Sequence, residues 1–248
     1  MEKNNWIKNL KKTVPLWIES IKSPYPGRFK ISNNAFKESS IDATSLVIDL
    51  HNMLDLQYPY LDHSAVFFNE QQDPLTGFYH EKYVDELDKR IDRIVEMSGT
   101  YFGYQISTLL KYFNIKPKYS YSFYDQFLPK DSIENYMKKN MPWKLSPMGA
   151  GNMVDHGSTM MRANLFFGDE RYRDIFKRMY FLLDDLQDPE TGFWGDVNAQ
   201  GINGLIQGGY HLMRGLYFTD NIVPKYAEKM INTTLKSLNE NIVFSEGR

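Results

Sequence analysis

Residues 72–79 read QDPLTGFY and residues 187–194 read QDPETGFW, so one octapeptide recurs 115 residues later with six of its eight positions unchanged. The residues around it recur as well. IDATSLVIDLHNML from Ile41 aligns with VDHGSTMMRANLFF from Val154 at a separation of 113 residues. Because the two separations agree to within two residues, we predict that the chain repeats one structural unit.

The two predicted units cover about residues 40–115 and 153–220, and each reads as helical. Residues 43–54 and 158–167 are apolar on several faces, which is typical of helices in an inner layer, and an Asp precedes each of them in the N-cap position. The segment before the second octapeptide instead has the spacing of an outer helix with one buried face, built from Tyr172, Ile175, Phe176, Met179, Leu182, Leu183 and Leu186.

The remaining segments complete an all-α prediction. Residues 116–152 contain four prolines and read as a linker, with a short helix at about 132–139 and a possible short strand at 118–123. The glycines of residues 201–218 would allow neighbouring helices to approach closely. We predict one domain that spans residues 1–248.

Composition excludes several classes of function. The chain has 248 residues, 29 basic against 31 acidic, so we expect no nucleic-acid partner. It has no cysteine, which excludes disulfides and thiolate zinc sites. The first 22 residues lack an apolar run long enough for a signal peptide or a membrane span, so a cytoplasmic location is the default expectation. Aromatic residues make up 15% of the chain, which suits either a cavity lining or a core of large side chains.

A possible metal motif, DDLQD, ends the predicted outer helix. Asp184, Asp185 and Asp188 could hold magnesium against a diphosphate, but they lie opposite the apolar stripe, and Asp188 precedes a proline where Asp favours a turn. The first octapeptide shares only this last Asp. The five histidines lack metal-site spacing. We therefore expect no metal and no cofactor.

The second octapeptide resembles the QW motif of triterpene cyclases, through Gln187, Gly192, Phe193 and Trp194. Similar D-P-x-T-G-aromatic turns occur in six-hairpin glycosidases and polysaccharide lyases. The resemblance implies an α/α toroid, a ring of helical hairpins. The chain lacks the Asp-x-Asp-Asp acid motif of the cyclases, and a complete ring would need more than 248 residues. The ring is therefore expected to be short, open, or completed by a second copy or a partner chain.

In a toroid, the residues where inner helices begin surround the mouth of a central cavity. The resemblance thus implies a carbohydrate-active enzyme with a small-molecule or oligosaccharide ligand. Two carboxylates there could hydrolyse a glycosidic bond, whereas a Tyr/His pair with Asn152 could catalyse β-elimination of a uronate. The candidate catalytic residues are Asp155, His156, Asp196, Tyr210 and His211; the candidate substrate-binding residues are Asp42, Tyr101, Trp143 and Trp194.

Each candidate also has a structural interpretation. Asp42 and Asp155 suit helix caps, His156 suits a hydrogen-bonded histidine at a helix start, and Trp194 suits packing. Three hypotheses follow: a glycosidase or lyase, in which Asp155, His156 and Asp196 converge; a terpenoid-cyclase-like protein with an apolar cavity; and a non-catalytic helical binding or scaffold protein.

Overall fold

The computed structural model describes residues 5–32, 38–81 and 96–239. This part of the chain is all-α, as predicted, and its only β-pairing consists of isolated bridges. Two compact units, residues 1–122 and 123–248, contain one octapeptide each. In chain order the helices are α1 (Asn5–Ser20), α2 (Ile41–Met53), α3 (Leu61–Glu70), α4 (Glu96–Tyr112), α5 (Ser132–Lys139), α6 (Pro147–Phe166), α7 (Arg173–Leu186), α8 (Val197–Leu212) and α9 (Ala227–Asn239).

Shorter helical segments complete the described fold. Two 3₁₀ helices, Ser122–Phe127 and Glu170–Tyr172, precede α5 and α7, and α8 continues through a π-helical turn (Met213–Tyr217) into a last α-turn (Phe218–Asp220). The possible strand at 118–123 does not form: this segment leads into the first 3₁₀ helix. The short helix predicted in the linker is α5, with the predicted bounds. Part of the first predicted unit, residues 82–95, lies outside the described residues.

The predicted N-caps of the two inner helices are wrong. The Ser40 side chain caps α2 and the Ser146 side chain caps α6, each by accepting a hydrogen bond from a backbone N–H three residues later. Asp42 is the second residue of α2, whereas Asp155 lies in the middle of α6 because that helix begins at Pro147. The end of the predicted linker, residues 147–152, is therefore the first part of this helix.

Helix α7 is the outer helix that the apolar spacing predicts. Its residues Ile175, Phe176, Met179, Leu182 and Leu183 are buried. On the opposite face Asp185 is exposed, and Asp188 already belongs to the turn, where its carboxylate accepts from Glu190 N at 2.9 Å and Thr191 Oγ1 at 3.1 Å. The Asp188 side chain therefore stabilises the turn.

The two octapeptides form the same turn, although one stands in each unit. Asp73 N donates to Phe78 O and Asp188 N to Phe193 O, both at 2.8 Å, and Gly77 and Gly192 both have a φ of 79°, which favours glycine. The leading glutamine then ties the turn to a later segment: Gln72 accepts from Tyr119 N at 2.8 Å, and Gln187 accepts from Tyr226 N at 3.0 Å.

A third turn of this kind, which the sequence analysis missed, follows α1. Residues 22–29 read KSPYPGRF, with Ser23 N donating to Arg28 O at 2.9 Å and Gly27 at a φ of 70°. Only the proline and the glycine match the octapeptide letter for letter. This turn shares the backbone geometry of the octapeptides but little of their sequence, so a comparison of sequence alone does not detect it.

Helices α6 and α8 run parallel and pack closely in the second unit. Met148 N donates to Gln200 Oε1 near the start of both helices, and Ser158 Oγ donates to Gly215 O further along both, so the pairing advances in the same direction. A Cβ on Gly208 would collide with the Pro147 carbonyl. The prediction that glycines in residues 201–218 allow close approach is therefore confirmed.

In the part of the chain that the structure describes, no helix has the combined length and apolar character needed to cross a membrane.

Candidate functional site

A buried carboxylate that contacts an arginine and a histidine forms the centre of a polar cluster between α6 and α8. Asp155 has 0% of its surface exposed. Its Oδ2 accepts from Arg214 Nε at 2.8 Å and from Arg214 Nη2, and it lies 2.9 Å from His211 Nδ1. Burial of a carboxylate without such partners would be strongly unfavourable, so these contacts account for its position inside the protein.

The contact with Asp155 fixes the protonation of the His211 ring. An ionised carboxylate only accepts hydrogen bonds, so the 2.9 Å contact requires a proton on Nδ1 of His211. Arg214 Nη2 lies 3.3 Å from the same nitrogen, but its shorter contact is with Asp155 Oδ2. In the neutral imidazole, Nε2 is then the nitrogen with a free electron pair. This is the orientation in which a carboxylate prepares a histidine to act as a base.

The π-helical turn brings the backbone of α8 against this carboxylate. Gly215 lies in that turn, and a Cβ added to it would be 2.6 Å from Asp155 Oδ1. Only a residue without a side chain allows this approach. The neighbouring Arg214 can therefore reach Asp155 from the same turn.

His156 lies beside the cluster and is almost completely buried, with 7% exposure. Burial lowers the pKa of His156 to about 4; the Asp155 charge opposes this shift, and the His211 and Arg214 charges add to it. The ring is therefore neutral at neutral pH and adds no positive charge to the site.

Tyr210 is the exposed member of the cluster, with 55% of its surface accessible. The Arg214 guanidinium lies 5.3 Å from the centre of its ring, and Arg214 Nη1 is 3.5 Å from its hydroxyl. The His211 ring meets it edge-on at 5.4 Å. A ligand that reaches the Tyr210 hydroxyl therefore also approaches the guanidinium.

Four of the five candidate catalytic residues thus come together: Asp155, His156, Tyr210 and His211. Asp196 does not join them. It caps α8, accepting from Asn198 N at 2.8 Å. It precedes His211 by fifteen residues, and the backbone between them bends at Gly201, whose φ of 67° is not helical. Asp196 therefore does not converge with Asp155 and His156, which are neighbours in the sequence.

Arg214 is the member that the sequence analysis missed. A signal was present, because Gln207, Tyr210, His211 and Arg214 follow the i, i+3, i+4, i+7 spacing and form a polar stripe along a glycine-rich helix. Such a stripe on an inner helix predicts polar partners on the helix packed against it. The partner here is Asp155 of α6.

In the first unit, two of the candidate binding residues lie near other acids. Burial raises the pKa of Asp42, while a hydrogen bond from Gln105 opposes the shift. Burial likewise raises the pKa of Glu81, which accepts from Ser40 Oγ at 3.1 Å. The pKa of Tyr101 is raised by burial and by the charges of Asp42 and Asp49. Sequence analysis missed Glu81, although it stands 115 residues before Asp196.

The two candidate tryptophans are packed inside the protein. Trp143 is 8% exposed and Trp194 is 1% exposed. Each indole N–H donates to a backbone carbonyl of the preceding helix, Met137 O at 2.8 Å and Leu183 O at 2.7 Å. Tyr121 and Tyr124, in the tyrosine-rich segment of residues 119–124, are buried as well. The structure supports packing for these rings, since none of them faces solvent as a stacking platform does.

Among the residues described, no group of three or more His, Asp or Glu side chains is placed to hold a metal ion. Comparison of the chain with protein-family models, with curated proteins and with solved structures finds no match. The arguments about function therefore rest on the two clusters themselves.

Proposed function

We propose that the protein cleaves an acidic polysaccharide by β-elimination and that its helices form a short α/α toroid. The hydrogen bond between Asp155 and His211 is the observation that carries this proposal. Elimination from a uronate needs a base, a proton donor and a positive charge near the substrate carboxylate, but no second free carboxylate. The cluster on α6 and α8 has this composition.

The reaction assigns one role to each accessible group. Nε2 of His211 takes the proton from C5 of the uronate, the bond from C4 to the bridging oxygen breaks, and a double bond forms between C4 and C5. The Tyr210 hydroxyl donates a proton to the departing oxygen. Arg214, with Asn152 one turn before Asp155, stabilises the charge that develops on the substrate carboxylate.

The parallel packing of α6 and α8 supports the toroid part of the proposal. Inner helices of a hairpin ring run parallel, with an outer helix between them in sequence, and α7 holds that place here. The octapeptide turn then leads from the outer helix to the next inner one. A second copy or a partner chain would complete a ring that this chain leaves short.

Glycoside hydrolysis in the first unit is the second candidate, and the raised pKa values of its carboxyls favour it. Asp42 and Asp49 lie two turns apart on α2, about 10 Å along the axis. The charges of both raise the pKa of Tyr101. Inverting glycosidases place their two carboxyls about 6.5–9.5 Å apart. A carboxyl with a raised pKa can serve as the general acid.

Cleavage assays on a panel of uronate polymers test the proposal. The wild-type protein should release products that absorb in the ultraviolet through their new double bond. His211→Gln should lower the rate by about 10²- to 10⁴-fold, the usual contribution of a positioned base. His51→Gln is the matched control, because His51 belongs to the first unit, where its ring bonds to a backbone carbonyl of its own helix, Val47 O, and packs on Tyr58.

Equal rates for wild type and His211→Gln would remove His211 from the mechanism. Products without a double bond that disappear in Asp42→Asn would favour hydrolysis in the first unit. Binding of a polymer without cleavage would favour a non-catalytic helical binding protein.

A further inference from the structure

The π-helical turn at Met213–Tyr217 leaves three successive carbonyls available to side chains. Thr219 Oγ1 donates to Arg214 O at 3.0 Å, and Tyr180 Oη lies 3.0 Å from Leu216 O. Between them, Gly215 O accepts from Ser158 Oγ at 3.1 Å and from Arg162 Nε at 3.4 Å. Side chains of α6 and of the last α-turn therefore bond to carbonyls of the π-helical turn.

Arg162 connects this turn to the end of the same helical stretch. Its two terminal nitrogens bind the Asp220 carboxylate in a bidentate ion pair, at 2.6 and 2.8 Å. The guanidinium also lies 4.2 Å from the centre of the Phe176 ring, and its side chain is only 12% exposed. Tyr180 Oη adds a 2.6 Å hydrogen bond to Asp220. These contacts fix Arg162 on both sides of the turn.

The turn held in this way is the one that carries Arg214. Gly215 cannot move toward α6, because its backbone already lies against Asp155, and its carbonyl accepts hydrogen bonds from Ser158 and Arg162 of the same helix. Arg214 immediately precedes it and meets Asp155 through Nε at 2.8 Å. The position of the Arg214 guanidinium thus depends on the width of the π turn.

We propose that Arg162 is a positioning residue that, with Ser158, holds the π-helical turn open and thereby aligns Arg214 with Asp155 and with the substrate carboxylate. Arg162 itself touches no substrate. Its catalytic consequence rests on the proposed elimination, whereas its effect on Arg214 does not.

Nuclear magnetic resonance of the arginine side chains tests the structural part without any substrate. In the wild-type protein the Arg214 Nε–H should exchange slowly with water, because it donates to a buried carboxylate. Hydrogen bonds to charged groups are worth about 1.5–3 kcal/mol, so Arg162→Met should accelerate this exchange about tenfold or more. Arg162→Lys, which keeps the charge but cannot make the bidentate contact, should restore only part of the protection.

Two further variants keep the test interpretable. Ser158→Ala removes one donor to Gly215 O with little risk to folding, and it should accelerate Arg214 exchange in the same direction. Arg178→Met is the matched control: Arg178 is another little-exposed arginine of this unit, but it bonds to Phe127 O and Pro129 O, far from the π turn in sequence. It should destabilise the unit without a selective effect on Arg214.

The kinetic part separates positioning from stability. For substrates that the wild-type protein cleaves, Arg162→Met should raise KM and lower kcat at temperatures where the variant remains folded, while Arg178→Met should change neither. Unchanged Arg214 exchange in both Arg162→Met and Ser158→Ala would overturn the proposal. If Arg214 exchange accelerates but no uronate polymer is cleaved by the wild type, the positioning inference stands and the proposed reaction fails.

Discussion

At position 156 a histidine ring lies inside the protein beside the charges of Asp155, His211 and Arg214. The pKa of this ring falls to about 4 in the folded state from an ordinary value of 6.5, chiefly through burial. Between these two values the unfolded chain binds the proton and the folded protein does not. The contribution of His156 to stability is therefore intact above pH 6.5 and is lost as the pH falls toward 4.

His156→Gln should remove this pH dependence. Between pH 7 and pH 4, the free energy of unfolding of the wild type should fall by up to roughly 3 kcal/mol more than that of the variant. Chemical denaturation at a series of pH values measures this difference. Parallel pH profiles for the two proteins would contradict the burial of a neutral ring.

Residue identities at the second-unit cluster were predictable, but their partners were not. The expectation that inner-helix starts surround a cavity singled out Asp155, Tyr210 and His211, but Asp155 lies in the middle of α6 and the other two lie near the end of α8. A sequence of one chain does not show that Asp155 faces Arg214 across two helices, because this contact depends on how α6 and α8 pack. The same limit applies to Glu81, whose partner Ser40 is 41 residues away.

At the scale of elements, the contact between α6 and α8 depends on glycines that stand where the backbones meet. Gly208→Ala should destabilise the second unit by about 1–3 kcal/mol, since its Cβ would meet the Pro147 carbonyl rather than a movable side chain. Gly157→Ala, on α6, is the matched control: its Cβ would meet only the Tyr124 ring, at 3.2 Å. A similar loss of stability in both variants would contradict the role of close backbone approach.

The spacing of apolar residues predicted the helices well, whereas the residues expected to mark helix starts predicted those starts less well. The α7 stripe is correct residue by residue except at its ends, because one-sided burial leaves a strong period in the sequence. The start of α6 was placed too late because proline and two glycines near Ser146 resemble a linker. Proline suits the first turn of a helix, and Gly151 allows the backbone of α8 to pack closely on α6 at Gly208.

At the scale of the whole molecule, the octapeptide turns are the feature shared by the two units. Gln187 illustrates their importance, because its buried side chain donates to Gly192 O at 2.6 Å and accepts from Tyr226 N. If residues 1–248 form one domain, Gln187→Ala should lower the midpoint of a single cooperative unfolding transition, with a loss of about 1–3 kcal/mol. Two separate transitions, with only one of them shifted, would contradict the single-domain prediction.

The all-α class followed from the sequence because helical periods and the absence of strand alternation are local properties. The closure of helices into a ring is not local, since it depends on many small crossing angles that no single segment determines. For this reason the toroid stays a proposal, supported by the parallel α6 and α8 and by the turn geometry.

Cleavage in water enriched in heavy oxygen tests the proposed reaction most directly. Elimination takes no oxygen from water, whereas hydrolysis adds one water-derived oxygen to every pair of new ends. Mass spectrometry of the products from a uronate polymer should therefore find an unsaturated end and no heavy oxygen. The amount of this unsaturated product should be lower for His211→Gln than for the wild type. Incorporation of one heavy oxygen per cleavage, with no unsaturated end, would contradict the proposed elimination.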